Sequence, residues 1–345
     1  MGKIVLVTGG TGYIGSWIVK YLLERKYSVR ITVRDKSKTK KFQHLLDIAE
    51  KENGDISVWK GDLLKPGSFD EAAQGADAII HAASPFTLRI KDPYHDLIDP
   101  ALKGTQNVLN AATKSGTVKR IVLTSSVAAI YGDNVDMAEQ GLSEFTEDHF
   151  NSTSSAKHQP YSYSKLVAEK EAWRIAGDQK QWKLLVINPA FVVGPSLADT
   201  SDSESINFMK NVLKGKFFFG APDLTFGYVD VRDVALAHIL ALENEAAEGR
   251  HILSERTLNF MGVADSVRRC FGNKKYRLPI MRAPKIFLYS IGGLFNVTPK
   301  FVKRNIGHTL KLNSTKSKVK LGLKYREFDD TIRDMVDKMH HLGIV

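Results

Sequence analysis

Cysteine is nearly absent from this chain of 345 residues, in which Cys270 is the single example. A single cysteine excludes an internal disulfide and fits a reducing compartment, so we expect a cytoplasmic protein. Long apolar runs are also missing, because the longest candidate, Ile286 to Phe295, is interrupted by a serine and two glycines. It is shorter than the roughly 18 residues of a membrane-spanning helix, and no secretory leader precedes the first apolar run.

The sequence also lacks clustered metal ligands and nucleic-acid motifs. The ten histidines are scattered, without a partner at metal-ligand spacing, so no metal is expected. The net charge of +11 is compatible with a nucleic acid or a membrane, but the lysines are not interleaved with aromatic residues. We interpret the charge as a solvated basic surface that also attracts an anionic cofactor.

Short β-branched runs alternate with longer amphipathic stretches in the first half of the chain. The predicted strands are Lys3–Val7, Val29–Val33, Ile56–Trp59, Ala78–His81, Arg120–Thr124 and Leu184–Asn188. The predicted helices are Gly12–Arg25, Lys38–Glu50, Ser68–Ala73, Pro100–Lys114 and Tyr161–Ile175. This alternation predicts an α/β protein with a doubly wound, Rossmann-type parallel sheet, whose ligand crevice lies at the carboxyl ends of the strands.

The alternation ends after Asn188. The stretch from Ser196 to Ser205 is polar, whereas Val229 to Ala235 is predicted to return to the sheet before another helix. We expect a smaller, discontinuous C-terminal lobe that holds the substrate. Residues 1–190 and about 226–255 are assigned to a dinucleotide-binding domain, and residues 191–225 and 256–345 to the lobe.

A glycine-rich turn, Thr8 to Gly15, separates the first strand from the first helix. Gly9, Gly12 and Gly15 are spaced three residues apart. Glycines allow the backbone to approach a phosphate, and the helix N-terminus offers free N–H groups and a partial positive charge. The lysine and hydroxyl residue that end a Walker A loop are missing, so a dinucleotide pyrophosphate is favoured over a triphosphate.

Arg34 directly follows the second predicted strand, where dinucleotide folds meet the adenosine ribose. An acidic residue there binds the 2′-hydroxyl of NAD, whereas a basic residue suits the 2′-phosphate of NADP. Four lysines follow between Lys36 and Lys41, and Asp35 is the residue of opposite sign. The segment therefore predicts NADP.

Tyr161 and Lys165 are four residues apart and share one face of a predicted helix. A nearby ammonium lowers the pKa of a phenol, so the pair can act as a general acid–base on an alcohol or carbonyl. Tyr163 lacks a lysine four residues on. Ser125 and Ser126 follow the fifth strand at the same rim, where one of them can bind a carbonyl oxygen or simply cap the strand end.

Together these residues resemble an extended short-chain dehydrogenase/reductase of the branch that contains dihydroflavonol and cinnamoyl-CoA reductases. The resemblance implies that cofactor is bound by Gly9, Thr11, Gly12, Tyr13, Ile14, Gly15, Arg34, Lys41, Asp62, Leu63, Ala82, Ala83, Ser84, Thr124, Tyr161, Lys165, Pro189 and Val192. It also implies a catalytic triad of Ser126, Tyr161 and Lys165. Two residues depart from the branch: Tyr131 replaces a substrate-contacting asparagine of dihydroflavonol reductases, and His158 begins a run unlike the cinnamoyl-CoA reductase signature.

The expected activity is NADPH-dependent reduction of an aldehyde or ketone to the alcohol, with Tyr161 as the proton donor, by a monomer or homodimer. Aromatic residues predict a pocket for an apolar or aryl carbonyl, with candidate walls at Phe86, Tyr131, Phe191, Phe226 and Tyr228 and a candidate lid from Ile286 to Phe295. The alternatives are a nucleotide-sugar epimerase or dehydratase, a hydroxysteroid dehydrogenase, and a non-catalytic protein that senses NADP.

Overall fold

Two β-sheets organise the protein in the computed structural model, which describes residues 2–84, 90–198, 203–291 and 297–345, the side chains of residues 290 and 291 excepted. The large sheet has seven parallel strands in the order β3-β2-β1-β4-β5-β6-β9. Its strands are β1 (Ile4–Thr8), β2 (Ser28–Val33), β3 (Asp55–Lys60), β4 (Ala78–His81), β5 (Arg120–Thr124), β6 (Lys183–Pro189) and β9 (Gly249–Leu253). This order confirms the predicted doubly wound α/β fold.

Helices cover both faces of the large sheet. The described helices are α1 (Tyr13–Glu24), α2 (Gln43–Lys51), α3 (Asp70–Ala73), α4 (Asp99–Ser115), α5 (Asp136–Glu139), α6 (Pro160–Gly177), α7 (Glu204–Leu213), α8 (Val231–Glu243), α9 (Phe260–Phe271), α10 (Lys285–Ile291), α11 (Pro299–Asn305), α12 (Thr315–Lys320) and α13 (Phe328–His341). The core of α1, α2 and α8 lies on one face, and that of α3, α4 and α6 on the other. Because both faces are buried, the inner strands read as continuous apolar runs.

The small sheet has three strands in the order β10-β8-β7: β7 (Phe191–Val193), β8 (Thr225–Asp230) and β10 (Arg256–Asn259). Helices α7, α9 and α13 pack on it around a core that includes Met209, Val263 and Met335. The small sheet is thus assembled from three segments that are distant along the chain.

The predicted return to the large sheet at Val229 to Ala235 is wrong. Strand β8 ends at Asp230 and pairs with β7 and β10 in the small sheet. Helix α8 begins at Val231, and the Asp230 carboxylate caps it by accepting the backbone N–H of Arg232 at 2.7 Å. The chain rejoins the large sheet at β9, where Leu185 pairs with Gly249.

No helix in the described part of the chain is long and apolar enough to cross a membrane. Within the same residues, no group of three or more histidine, cysteine or acidic side chains is arranged to hold a metal ion.

Candidate active site

The carboxyl ends of neighbouring strands in the large sheet lie along one edge. Thr8, the last residue of β1, pairs with Thr32 on one side and with His81 on the other. His81 in turn pairs with Leu123, the last residue but one of β5. The loops after these strands, which carry most of the predicted site residues, therefore leave the sheet side by side.

The glycine turn after β1 approaches the loop after β4 closely. Gly9 has a φ of +72°, and a Cβ there would lie 2.6 Å from the backbone nitrogen of Ala83. The Gly12 N–H donates to the Gly9 carbonyl at 3.0 Å, which closes the turn. Gly12 is the N-cap of α1 and has no side chain to occupy the N–H groups of the first turn. The turn thus forms a cradle for an anion.

Residues at the start of α1 connect this cradle to the loop after β7. The Tyr13 hydroxyl donates to the Gly194 carbonyl at 2.6 Å, and the Trp17 indole donates to Pro195 at 2.9 Å. Burial, followed by the nearby Asp230 carboxylate, raises the pKa of Tyr13. Thr11 and Ile14 are half-buried beside it. Tyr13 is therefore a neutral donor that holds the small-sheet segment against the glycine turn.

Arg34 and Lys41 have exposed side chains at the far end of this edge, after β2 and in a short 3₁₀ turn at Thr39–Lys41. Asp35 is occupied elsewhere, because its carboxylate accepts the Ser37 hydroxyl at 2.6 Å, and this hydrogen bonding lowers its pKa. In the described part of the chain, no ion pair engages Arg34.

Asp62 and Leu63 follow β3, which is the strand beside β2 in the large sheet. The Asp62 carboxylate accepts the Leu64 N–H at 3.0 Å, and the Leu63 carbonyl accepts the Asn107 amide at 2.6 Å. These bonds shape the loop beside Arg34, where the adenosine end of a dinucleotide is expected.

Ser126, Tyr161 and Lys165, the predicted triad, are brought together at the centre of the edge. The Ser126 hydroxyl caps a 3₁₀ turn at Val127–Ala129, accepting the Ala128 N–H at 3.2 Å, and is hydrogen-bonded to Tyr161. The Lys165 Nζ lies 5.9 Å from the centre of the Tyr161 ring and donates to the Ser84 hydroxyl at 3.0 Å. Ser126 and Tyr161 are both half-buried.

The pKa of Tyr161 differs from the sequence-based expectation. Burial raises it to about 12, with the hydrogen bond to Ser126 acting in the opposite direction. Burial lowers the pKa of Lys165 to about 8, and the Glu169 carboxylate opposes that change. Desolvation of the phenol thus exceeds the opposing effect of the hydrogen bond to Ser126, and the phenol stays protonated at neutral pH.

Glu169 is a site residue that the sequence did not reveal. It lies one turn after Lys165, is 1% exposed, and accepts the Ser125 hydroxyl and, at 2.8 Å, the Asn188 amide. Arg250, on β9, forms an ion pair with it at 2.6 Å. Ser125 is bound to Glu169 and buried, so Ser126 is the more accessible serine of the pair. The acid four residues after Lys165 was the available sequence signal.

Five other residues predicted to bind cofactor are buried or partly buried in the framework of the site. The Thr124 hydroxyl is hydrogen-bonded to His238 at 2.7 Å, and burial lowers the pKa of His238 to about 4. Pro189 ends β6, and Val192 pairs with Val229 in the small sheet. Ala82 and Ala83 are half-buried, and both N–H groups are directed to Thr8.

The candidate substrate walls are in different environments. Phe191 and Phe226 are half-buried, with ring centres 6.0 Å apart. Tyr131 is 9% exposed and stacks on Phe145 at 5.2 Å. Tyr228 is 0% exposed in a packed core, 5.7 Å from Phe191, so the structure places it behind the wall and not on it. Phe86 and residues 292–295 of the candidate lid lie outside the described residues.

Comparison with known proteins gives three kinds of match. A model of the NAD dependent epimerase/dehydratase family matches residues 5–253. Cinnamoyl-CoA reductase CAD2 of Medicago truncatula is 40% identical over 306 residues, which cover 85% of this chain and 91% of that protein. A bifunctional dihydroflavonol 4-reductase/flavanone 4-reductase of Malus domestica is 34% identical over 80% of this chain and 78% of that protein. The structure of yeast methylglyoxal/isovaleraldehyde reductase Gre2 complexed with NADPH superposes with a TM-score of 0.77 at 28% identity, covering 99% of this chain and 100% of that one.

Proposed function

This chain belongs to the NAD dependent epimerase/dehydratase family, in the cinnamoyl-CoA and dihydroflavonol reductase-like branch, and from that premise we propose that it is an NADPH-dependent carbonyl reductase. The observation that carries the proposal is the meeting of Ser126, Tyr161 and Lys165 beside the glycine turn. The reductase activity in the printed names of its relatives supports it. The substrate we propose is an apolar or aryl aldehyde or ketone, because two candidate walls of the pocket, Phe191 and Phe226, are half-buried aromatic residues.

The residues present fit NADPH. A Cβ at Gly9 would fill the space at the turn, and the uncapped start of α1 offers N–H groups to a pyrophosphate. The exposed Arg34 and Lys41 would hold the 2′-phosphate, and Lys165 would bind the nicotinamide ribose. When bound, the cofactor supplies the hydride.

The protein's own part is to orient the carbonyl and to supply a proton. Ser126 and Tyr161 present two neighbouring hydroxyls to the carbonyl oxygen. A phenol with a pKa of about 12 stays protonated at neutral pH and donates once the oxygen gains negative charge, because an alkoxide is a stronger base than a phenolate. Below pH 8 the Lys165 ammonium is present to stabilise the resulting phenolate.

The test is consumption of NADPH with a panel of aliphatic and aryl aldehydes and ketones, followed by the absorbance of the reduced nicotinamide. We expect Tyr161→Phe to lower kcat by about 10²-fold or more, as removal of a general acid does, while NADPH binding persists. Tyr163→Phe is the matched control, because Tyr163 lies on the same helix without a lysine four residues on. Its kcat should stay close to that of the parent protein.

The preference for NADPH over NADH is tested separately. Arg34→Gln should raise the KM for NADPH by roughly 10- to 100-fold and leave the KM for NADH nearly unchanged, since a charge-assisted contact to the 2′-phosphate is lost. Lys51→Gln, an equal loss of charge at the end of α2, should change neither. Tight NADPH binding without turnover on the whole panel would favour a sensing protein. Retained NAD with conversion of a nucleotide-sugar would favour an epimerase.

A further inference from the structure

The positive charge of this protein is concentrated in one segment. From Ser266 to Arg326 the chain has sixteen lysines and arginines and no aspartate or glutamate. Since the whole chain carries +11, the other residues together carry −5. Five of its arginines form ion pairs with acids outside the segment: Arg268, Arg269, Arg282, Arg304 and Arg326. The remaining cations leave the segment with an excess of positive charge that attracts anionic partners.

An exposed apolar cluster lies in and beside this basic segment. We call it the apolar tip, and its members are Phe219 (87% exposed), Ile280 (62%), Met281 (51%), Ile286 (77%), Phe287 (53%) and Tyr289 (40%). Other exposed hydrophobic residues, such as Leu64 and Val319, occur singly. Single residues of this kind are ordinary, but a contiguous patch marks an interaction site.

Backbone hydrogen bonds join the loops of the tip into one structure. The Ile280 N–H donates to Phe218 at 3.2 Å, and the Ala221 N–H donates to Met281 at 3.0 Å. Ala283 returns a bond to Ala221 at 2.8 Å, just before α10 begins. Beneath them, Ala221 belongs to a small apolar core of its own. The exposed side chains are thus presented by an anchored support.

Basic side chains border the tip. Those that are exposed on the adjoining segments are Lys214, Lys216, Arg277, Arg282, Lys300 and Lys303. Two neighbouring acids are engaged by arginines: Asp223 pairs with Arg282 at 3.2 Å, and Asp265 pairs with Arg268 at 2.6 Å. Helix α11, which carries Lys300 and Lys303, packs against α10.

We propose that the apolar tip and its basic border dock the protein reversibly on an anionic lipid bilayer. Apolar side chains that enter the headgroup region and lysines that face anionic headgroups are the two components of interfacial binding. A nucleic acid would use the lysines but would leave the aliphatic Ile280 and Ile286 without a partner. A second copy docked through the same face would bring like charges together, which disfavours that occupant.

Vesicle flotation of the full-length protein tests this surface independently of turnover. We expect binding to vesicles of phosphatidylcholine with phosphatidylserine, and much weaker binding to phosphatidylcholine alone. Salt at ~1 M should release the protein, because the screening length falls to about 3 Å. The double variant Phe219→Ser/Ile286→Ser should bind at least about tenfold more weakly. Tyr94→Ser/Val319→Ser, which removes two exposed hydrophobic residues elsewhere, should bind like the parent.

The position of the charge is tested with two double variants that lose the same number of lysines. Lys300→Gln/Lys303→Gln should weaken binding by roughly fivefold for each lysine, whereas Lys180→Gln/Lys183→Gln should have little effect. Equal binding to neutral and anionic vesicles would overturn the proposal, as would no binding at low salt. Equal losses of binding in the two lysine double variants would also overturn it. So would a dimer that the Phe219→Ser/Ile286→Ser variant dissociates, or binding of an RNA oligonucleotide that this variant leaves intact.

Discussion

Glu169 shows how one buried charge is made compatible with the active site. Its carboxylate is 1% exposed, beside a lysine whose own pKa is lowered by burial. Burial of an unpaired carboxylate at this depth would be costly, but Arg250 and Asn188 both contact it. The result is a fixed negative charge that favours the ammonium form of Lys165 in a site that otherwise disfavours it.

The alkaline side of the pH–activity profile should therefore respond to Glu169. Lys165 acts as an ammonium, so activity should be full below its pKa of about 8 and decline above it. Glu169→Gln removes the group that raises this pKa, and the decline should move to lower pH. Measurement of kcat from pH 6 to 9 checks this shift.

The control is Glu171→Gln on the same helix, whose carboxylate pairs with the exposed Arg174. Its profile should match that of the parent. Because Glu169→Gln also leaves Arg250 buried without an ion-pair partner, we expect a loss of about 3 kcal/mol in the free energy of unfolding. A destabilised variant with an unmoved alkaline limb would assign Glu169 a purely structural role.

The proximity of Tyr161 and Lys165 could be predicted from sequence, whereas the contacts that support it could not. Tyr161 and Lys165 are four residues apart, and local helix geometry alone places them together. Glu169 has the same spacing from Lys165, but an acid on a helix usually faces solvent. Its burial depends on contacts with Asn188 on β6 and Arg250 on β9. Contacts of this kind follow from topology and not from spacing.

Strands were easier to predict than the boundary between β8 and α8. Ala78–His81 and Arg120–Thr124 match the prediction, because continuous apolar runs mark strands buried on both faces. Val229 to Ala235 combines four apolar residues with three charged ones, and Asp230 ends the strand and caps the helix. An aspartate, a residue type that commonly caps helices, was the missed signal.

The turn between β1 and α1 should be intolerant of any side chain at Gly9. Gly9→Ala places a Cβ against the Ala83 backbone at 2.6 Å and holds an alanine at a φ of +72°. We expect a loss of about 3 kcal/mol or more in the free energy of unfolding, together with weaker NADPH binding. Urea unfolding and NADPH titration measure the two effects.

Gly116, the C-cap of α4, separates backbone strain from crowding. Its φ is +70°, but a Cβ there would meet nothing within 4 Å. Gly116→Ala should therefore cost only the strain of the left-handed conformation, about 1 to 2 kcal/mol, and leave NADPH binding unchanged. Equal losses in the two variants would mean that the close approach at Gly9 contributes nothing.

At the scale of the whole molecule, a buried polar network connects α11 to the start of α6, the helix that carries Tyr161 and Lys165. Arg304 forms ion pairs with Asp133 at 2.6 Å and with Asp136 at 2.7 Å. Asp133 also contacts His158 at 2.8 Å and Gln159 at 2.6 Å, the two residues that precede α6. Arg304 is 171 residues from Asp133 and 168 from Asp136 along the chain. No local pattern predicts their meeting, which explains why the attachment of α11 could not be predicted from the sequence.

Arg304 should therefore contribute far more to stability than an exposed arginine. The Asp133 carboxylate is fully buried, and although burial raises its pKa, hydrogen bonds from His158, Asn305 and Arg304 lower the pKa overall. A lowered pKa in the folded state stabilises the protein above the unfolded value, about 3.9, and this contribution disappears on acidification. Arg304→Gln should lose about 3 kcal/mol near pH 7, because two buried carboxylates lose their partner.

The difference between Arg304→Gln and the parent should narrow as the pH falls below about 4, where Asp133 binds a proton in the unfolded chain and then in the folded one. Urea unfolding at a series of pH values measures this. Arg333→Gln is the matched control, because its ion pair with Asp330 is about half exposed on both sides. It should change stability by about 1 kcal/mol or less. A loss of unfolding free energy in Arg304→Gln that is small at neutral pH, or independent of pH, would show that the network does not hold α11 to α6.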